Sequence, residues 1–208
     1  VARARPGLSA GLVGVALVPL AFLAVFFVWP VVAILRLGLA EGGVLAVLGQ
    51  ARTWELVAFT VGQAAASTAL AVVAGLPVAY LLARTSLPGL GLVRVLVLVP
   101  FVLPTVVVGL AFRTLLPDGG VLAIVLANSF FNVAVVARTV AGLWSHLDRR
   151  AQDAARSLGA SPLRAFTSVT LPALTPALTS AAAVVFLFCA TSFGVVLILG
   201  GSRYRTLE

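Results

Sequence analysis

The stretch DRRAQDAARSLGASPLRAFTSVTLP, Asp148 to Pro172, is where polar and charged residues gather in an otherwise apolar chain. Asp148 to Leu158 is rich in Ala, Arg, Gln and Leu, side chains that lose little freedom in a helix, and Asp148 stands where an N-cap would accept a backbone N–H. Gly159 then occupies a C′ position, which calls for left-handed backbone. Ser161-Pro162 restarts a helix at once, the serine as N-cap and the proline with its φ already helical at N1. Thr170-Leu171-Pro172 predicts a second restart, into a long apolar run. Leu163, Phe166 and Val169 recur at helical spacing and form an apolar face. The local pattern is a short helix, a sharp turn at Gly159 and an amphipathic helix. Such an elbow is shaped to dock into a partner, although a helix of this kind can also lie flat on a membrane.

Outward from the elbow the sequence is lipid-soluble. Of 208 residues 62% are hydrophobic and 10% charged, and the mean hydropathy is +1.18. A soluble chain of this length covers its surface with about one charged residue in four, so water is excluded as the solvent. Five segments are long enough to cross a bilayer: Leu8–Leu35, Leu56–Ala83, Val93–Leu116, Val121–Trp144 and Leu171–Leu199. The first is preceded by Arg3 and Arg5 like a secretory leader, but its apolar run is about twice the usual length and lacks a small-x-small cleavage site, so it reads as an anchor. The expected organisation is an N-terminal anchor and outer connection over 1–54, and a transmembrane core over 55–208 with the elbow at about 145–172. In the connection Arg36–Glu55, Glu41-Gly42-Gly43 and Trp54 predict a short interfacial helix ending at an aromatic anchor.

All 14 basic residues are arginine. The absence of lysine removes Schiff-base chemistry, Ser–Lys pairs and a P-loop. Lone Cys189 and His146 exclude an internal disulfide or a Cys/His metal cage; the cysteine reads as a small buried hydrophobe and the histidine as an interfacial residue beside Trp144. No metal site and no catalytic constellation is expected. The net charge of +8 is spread singly or in pairs between apolar runs, which speaks for membrane topology and against nucleic acid. With the N-terminus cytoplasmic, inner segments carry Arg3, Arg5, Arg84, Arg94, Arg149, Arg150, Arg156 and Arg164. Outer ones carry Arg36, Arg52, Arg113, Arg203 and Arg205. The excess favours N-in. Arg138 lies within the fourth span and either extends towards the interface or faces the protein interior.

The elbow residues Asp153-Ala154-Ala155, three residues, Gly159, nine residues, Val169, one residue, Leu171-Pro172 resemble the EAA loop of the permease subunits of binding-protein-dependent ABC importers. That family has Glu for Asp153 and Ile for Val169, with every spacing the same. The resemblance implies an all-α integral membrane fold of the MetI-like type I class, five spans being visible and a final helix expected beyond Glu208. It implies a non-enzymatic permease in the bacterial inner membrane that forms the translocation path and couples through this loop to a cytoplasmic ABC ATPase dimer. That partner would use the ATP and Mg, and this chain would bind no cofactor. A periplasmic or lipid-anchored binding protein, a second permease half or subunit and membrane lipid complete the implied partners. Small Ala154 and Ala155 would allow close approach, Gly159 the elbow, and Asp153 or Arg156 polar contacts. The run Phe186 to Leu197 with Gly200-Gly201 resembles the ferric iron and thiamine permeases, which implies iron(III) or thiamine as cargo. Those permeases commonly join two such halves in one chain, so the sequence looks like a fragment or a split half.

The spans themselves hold few polar side chains. Gln63 with Ser67, and Asn128 with Asn132, are spaced i, i+4 on single helix faces, and Thr191 and Ser192 lie mid-span. These six are candidates for the translocation path, or for hydrogen bonds that hold helices together. Pro77, Pro100 and Pro104 can bend helices around a cavity. A secondary carrier or channel is the alternative; it would need an intramembrane relay of Asp, Glu or His, and none is visible.

Overall fold

The computed structural model describes residues 10–40, 43–86, 88–201, 204 and 206–207, and among them every regular element is helical. The chain divides into two compact units, Val1–Trp54 and Glu55–Glu208.

In the first unit, α1 (Ala10–Leu23) continues through a π-helical turn (Ala24–Val28) into α2 (Trp29–Ala40). The π turn ends two residues before Pro30. A proline has no N–H for the carbonyl four residues back, and its ring collides with that carbonyl; widening the turn by one residue removes both problems without breaking the helix. Gly14–Leu39 is long and apolar enough to cross a membrane, with none of its best window buried. A short α3 (Gly43–Leu48) is the predicted connection helix; Glu41 and Gly42 lie outside the described residues. Trp54 Nε1 donates to the Leu48 carbonyl at 2.8 Å and Thr53 Oγ1 to Val47 at 2.7 Å, which closes the turn into α4 (Ala51–Arg84).

The second unit is built around α7 (Gly120–His146), against which α5 (Leu90–Val102), α6 (Thr105–Leu115), α10 (Leu171–Ala190) and α11 (Phe193–Gly200) pack. In lipid, large apolar side chains gain little by turning inward, so small and polar residues mark the inner face. The buried side of α4 is Thr60, Gln63, Ala64, Ser67, Thr68, Ala71, Gly75 and Ala79, while Val61, Val73 and Leu81 face outward. At Gly75 the approach to α7 is so close that a Cβ would lie 2.7 Å from Val136 Cβ. At 34 residues α4 is about 51 Å long, well beyond a hydrocarbon core of about 30 Å, so its ends reach the interface.

The predicted spans need correction in three places. The third is not one helix: α5 and α6 meet at about 95°. Pro104 pushes Leu103 into extended backbone (φ −68°, ψ 139°) and then begins α6 as its N-cap. Among the described residues four helices are therefore long and apolar enough to cross a membrane, or five if the bent pair counts as one span. The last predicted span is interrupted at Thr191-Ser192, and its continuation, α11, packs separately on α6 and α7. Third, the helix does not restart at Thr170-Leu171-Pro172. It runs unbroken over Pro162–Ala190 through a second π turn, Phe166–Thr170, again placed just before a proline.

Candidate functional site

The elbow joins α7 to α10. Its first arm is α8 (Arg150–Ser157), which begins later than expected: Asp148 accepts the Arg150 N–H at 2.9 Å, two residues on, and Arg149 takes the N-cap position. Gly159 has φ +89°, a conformation that strains any L side chain. Around it the Ala160 N–H reaches back to the Ala155 carbonyl and the Gly159 N–H to that of Arg156, both at 3.0 Å, which satisfies carbonyls at the end of α8. Ser161 caps the second arm, α9 (Pro162–Ala165), by accepting the Arg164 N–H at 3.3 Å.

Two apolar residues on this turn point outward, Leu158 at 89% exposure and Leu163 at 72%. Leu163 thus departs from the apolar face predicted for it; Ala165, Phe166, Val169 and Thr170 form the inner face instead. Leu158 had no place in the sequence pattern, and its position between the Ala-Ala pair and Gly159 was the signal available. Asp153, Ala154 and Arg156 are exposed and Ala155 is half-buried. Asp153, Arg156, Ser157, Gly159, Ala160 and Pro162 line a shallow depression across the turn. Val169, Leu171 and Pro172 belong to the rigid stem that carries the elbow into α10.

Deep in the bundle a second group of predicted residues converges on the break between α10 and α11. Gln63 Nε2 donates to the Cys189 carbonyl at 2.7 Å, and Ser192 Oγ donates to the same carbonyl at 2.9 Å. Asn128 Nδ2 donates to Gln63 Oε1 at 3.1 Å and to Ser192 Oγ at 2.9 Å. Asn132 Nδ2 donates to the Asn128 carbonyl at 2.8 Å and lies 3.5 Å from Cys189 Sγ. Ser67 stays on its own helix, donating to the Gln63 carbonyl, while its carbonyl accepts from Ser129 at 3.0 Å. Among the described residues no buried side-chain N or O lacks a partner. One network therefore ties α4, α7 and α10–α11 together.

The network has an open side. A cavity of about 270 Å³ is lined by Asn128, Asn132, Thr191, Ser192, Thr105, Leu103, Phe131, Phe188 and Val195. Gln63 and Ser67 lie behind this wall, 2% and 0% exposed, and act as its support. Thr105 was missed by sequence reasoning; it stands at the cavity because Pro104 starts α6 there. The bend of the α5–α6 pair thus supplies part of the wall and the break of α10–α11 another part. Arg138 faces a groove with Leu98, Ala134, Val135 and Thr139, on the α5 side of α7.

The family described as the binding-protein-dependent transport system inner membrane component matches residues 71–207, which include the elbow and the broken helix. The chain belongs to this family. Its MetI-like helical fold and its place as a multi-pass inner-membrane permease component follow. A probable sulfate transport system permease protein of Nephroselmis olivacea is 33% identical over 161 residues, 70% of this chain and 57% of the relative. The sulfate transport system permease protein of Salmonella typhimurium is also 33% identical, over 62% of this chain and 52% of its own length. A thiamine transport system permease protein of Brucella abortus is 30% identical over 74% of this chain and 32% of the relative. The chain spans about half the length of the sulfate permeases and about a third of the thiamine permease. Of the two cargoes that the sequence resemblance implied, thiamine recurs in these names; sulfate stands in them where iron was expected.

Proposed function

We propose that this chain is one half of the permease of an ATP-driven importer, holding the translocation path in its polar junction and receiving force through the elbow. The observation that carries this is the elbow itself: a polar, solvent-exposed turn with a left-handed Gly159 and outward Leu158, mounted on an uninterrupted helix that ends at the cavity. A load applied at Leu158 is transmitted along the Pro162–Ala190 rod to the break at Thr191-Ser192, so docking and pathway are mechanically joined. The sequence has no nucleotide-binding Gly-x-x-x-x-Gly-Lys. ATP and Mg belong to a separate ABC ATPase dimer seated on Asp153, Ala154, Ala155, Arg156 and Gly159. A substrate-binding protein and a second permease half complete the assembly, with the N-terminus and the elbow both cytoplasmic.

The cargo is a sulfate-like oxyanion, with a thiamine-like cation as the second possibility that the relatives' names raise. From Leu56 to Ala83, and in each later span, there is no aspartate or glutamate to hold a cation. The cavity instead presents only neutral polar groups, Asn128, Asn132, Thr105, Thr191 and Ser192. Among the described residues the Thr105 hydroxyl is the one of these not already donating within the bundle, and the amides and the other hydroxyls would meet an oxyanion by exchanging a network bond for it. Co-purification with its ATPase, and uptake of labelled sulfate or thiamine by cells carrying the whole system, test the two parts separately. Ala155→Arg, a bulky charge on the docking arm, abolishes co-purification while the permease still reaches the membrane; retained ATPase overturns the docking role.

A further inference from the structure

At the base of the elbow, on the side facing the bundle, lies a cavity of about 200 Å³ lined by Tyr80, Arg84, Trp144, Arg149, Gln152, Asp153, Arg156 and Phe166. Three guanidinium groups and one carboxylate meet there. Arg84 and Arg149 are held in place by crossed hydrogen bonds: Arg84 Nη2 donates to the Leu147 carbonyl at 3.0 Å and Arg149 Nη2 to the Arg84 carbonyl at 3.4 Å. These bonds bring two like charges close enough to repel, and the one carboxylate of the cavity, Asp153, offsets Arg84 in part without forming an ion pair with it. Among the described residues the one ion pair is Arg150 with Asp148, 4.0 Å apart and outside this cavity.

The wall opposite the arginines is aromatic. Trp144 lies between Tyr80 and Phe166, with ring centroids 5.5 and 5.9 Å away. Trp144 and Arg84 come from the last turns of α7 and α4, the level at which spans leave the bilayer and where aromatic residues collect. A basic pocket between helix ends, floored by aromatic rings, has the chemistry to take a phosphate whose remainder stays in the membrane.

We propose that this cavity binds the headgroup of an anionic phospholipid, its phosphate oxygens among Arg84, Arg149 and Arg156 and its acyl chains along the outer faces of α4 and α7. The bound phosphate offsets the excess of three guanidinium groups over the single Asp153 carboxylate. Because α8 contributes Arg156 and the loop before it Arg149, the lipid also fixes the elbow against the bundle. The site is independent of the cargo; it shares Asp153 and Arg156 with the proposed ATPase seat, so lipid binding is read on the chain without the ATPase.

Native mass spectrometry of the full chain in detergent, titrated with phosphatidylglycerol, phosphatidylcholine or inorganic phosphate, tests this. Phosphatidylglycerol is retained in preference to phosphatidylcholine. Arg149→Gln and Arg156→Gln each weaken its binding about fivefold, the contribution expected of one arginine at an anionic surface. Arg149→Lys keeps most of the affinity, and Arg150→Gln, which removes the same charge outside the cavity, leaves it unchanged. The proposal is overturned if Arg150→Gln weakens binding as much, if the two lipids bind alike, or if inorganic phosphate displaces phosphatidylglycerol at equal concentration, which would assign the cavity to a soluble anion. A second measurement needs no variant in the pocket: with Trp29 and Trp54 replaced by phenylalanine, brominated phosphatidylglycerol quenches Trp144 more strongly than brominated phosphatidylcholine, and equal quenching counts against the lipid.

Discussion

Gln63 caps a helix that belongs to a distant part of the chain: its side-chain amide donates to the Cys189 carbonyl at 2.7 Å, two residues before α10 breaks. That carbonyl would be one of the orphans at a helix end, and inside a bilayer no bulk water can satisfy it. Ser192 gives it a second bond from the α11 side. The break at Thr191-Ser192 is therefore supported from α4, across the bundle.

Gln63→Leu removes this cap together with the acceptor of the Asn128 amide. Ser192 still serves both partners, so the loss is partial, about 1 kcal/mol, within the range for hydrogen bonds between membrane helices. Equilibrium unfolding in mixed micelles is the measurement. Stability equal to that of the parent chain would mean that the break is held by Ser192 alone.

Close approach of α4 and α7 depends on Gly75. A methyl group there meets Val136 Cβ at 2.7 Å and a backbone carbonyl, that of Val133, at 3.3 Å. Gly75→Ala therefore destabilises by about 1–3 kcal/mol through overpacking. Gly62, on the same helix, has open space around it, and Gly62→Ala is neutral or slightly stabilising. Adding Val136→Ala to Gly75→Ala recovers part of the loss in a double-mutant cycle. Additive effects would place the strain elsewhere.

Much of this architecture was legible in the residues, and what was not has physical causes. Gly159 and Ser161-Pro162 specify their own backbone, so the elbow appeared in the sequence with its turn and cap correct. Hydropathy located the spans; the bend at Pro104 was legible as one of three prolines able to bend a helix, whereas the break at Thr191-Ser192 is held by partners far along the chain and left no signal in the residues. Pro172 misled for the opposite reason: a proline normally ends a helix, yet a π turn absorbs it. Of the six polar candidates, Gln63, Asn128, Asn132 and Ser192 share one hydrogen-bond network, and Thr191 joins Asn128, Asn132 and Ser192 at the cavity. Hydrogen bonds between helices, one of the two readings held open for them, hold one side of this cluster; its other side borders the cavity proposed as the path. Thr105 and Leu158 escaped because their importance lies in exposure, which periodicity does not report.

Leu158 is the residue on which docking to the ATPase should depend most. At 89% exposure it contributes little to the fold, so Leu158→Asp leaves stability within about 0.5 kcal/mol of the parent. As an apolar anchor at the centre of an interface its loss is worth about 2 kcal/mol or more, a fall of roughly thirtyfold in ATPase affinity. Gly159→Ala gives a smaller effect of the same sign, because the left-handed turn can be held at a cost of about 1–2 kcal/mol. Binding of the purified ATPase to the chain in nanodiscs checks both variants. Unaltered affinity in Leu158→Asp would remove the turn from the interface.

The cavity offers a direct way to separate an oxyanion cargo from a cationic one. Asn132 is 5% exposed and lines it beside Asn128 and Thr191. Asn132→Asp changes the side chain by one atom, keeping its size while replacing a donor amide with a group that, when ionised, repels an anion. Two unit charges about 4 Å apart at an effective dielectric near 20 interact by about 4 kcal/mol, so even partial ionisation or screening leaves a large difference between cargoes. For an oxyanion, uptake falls by more than about tenfold, since each 1.4 kcal/mol on the barrier is a factor of ten. The fall is specific to the charge: Asn132→Ser, which lacks it, loses much less. For a cation the same aspartate is attractive and uptake holds or rises. Sulfate uptake that survives Asn132→Asp undiminished would show that the anion does not pass this side of α7, and thiamine uptake stimulated by it would reverse the assignment of the cargo.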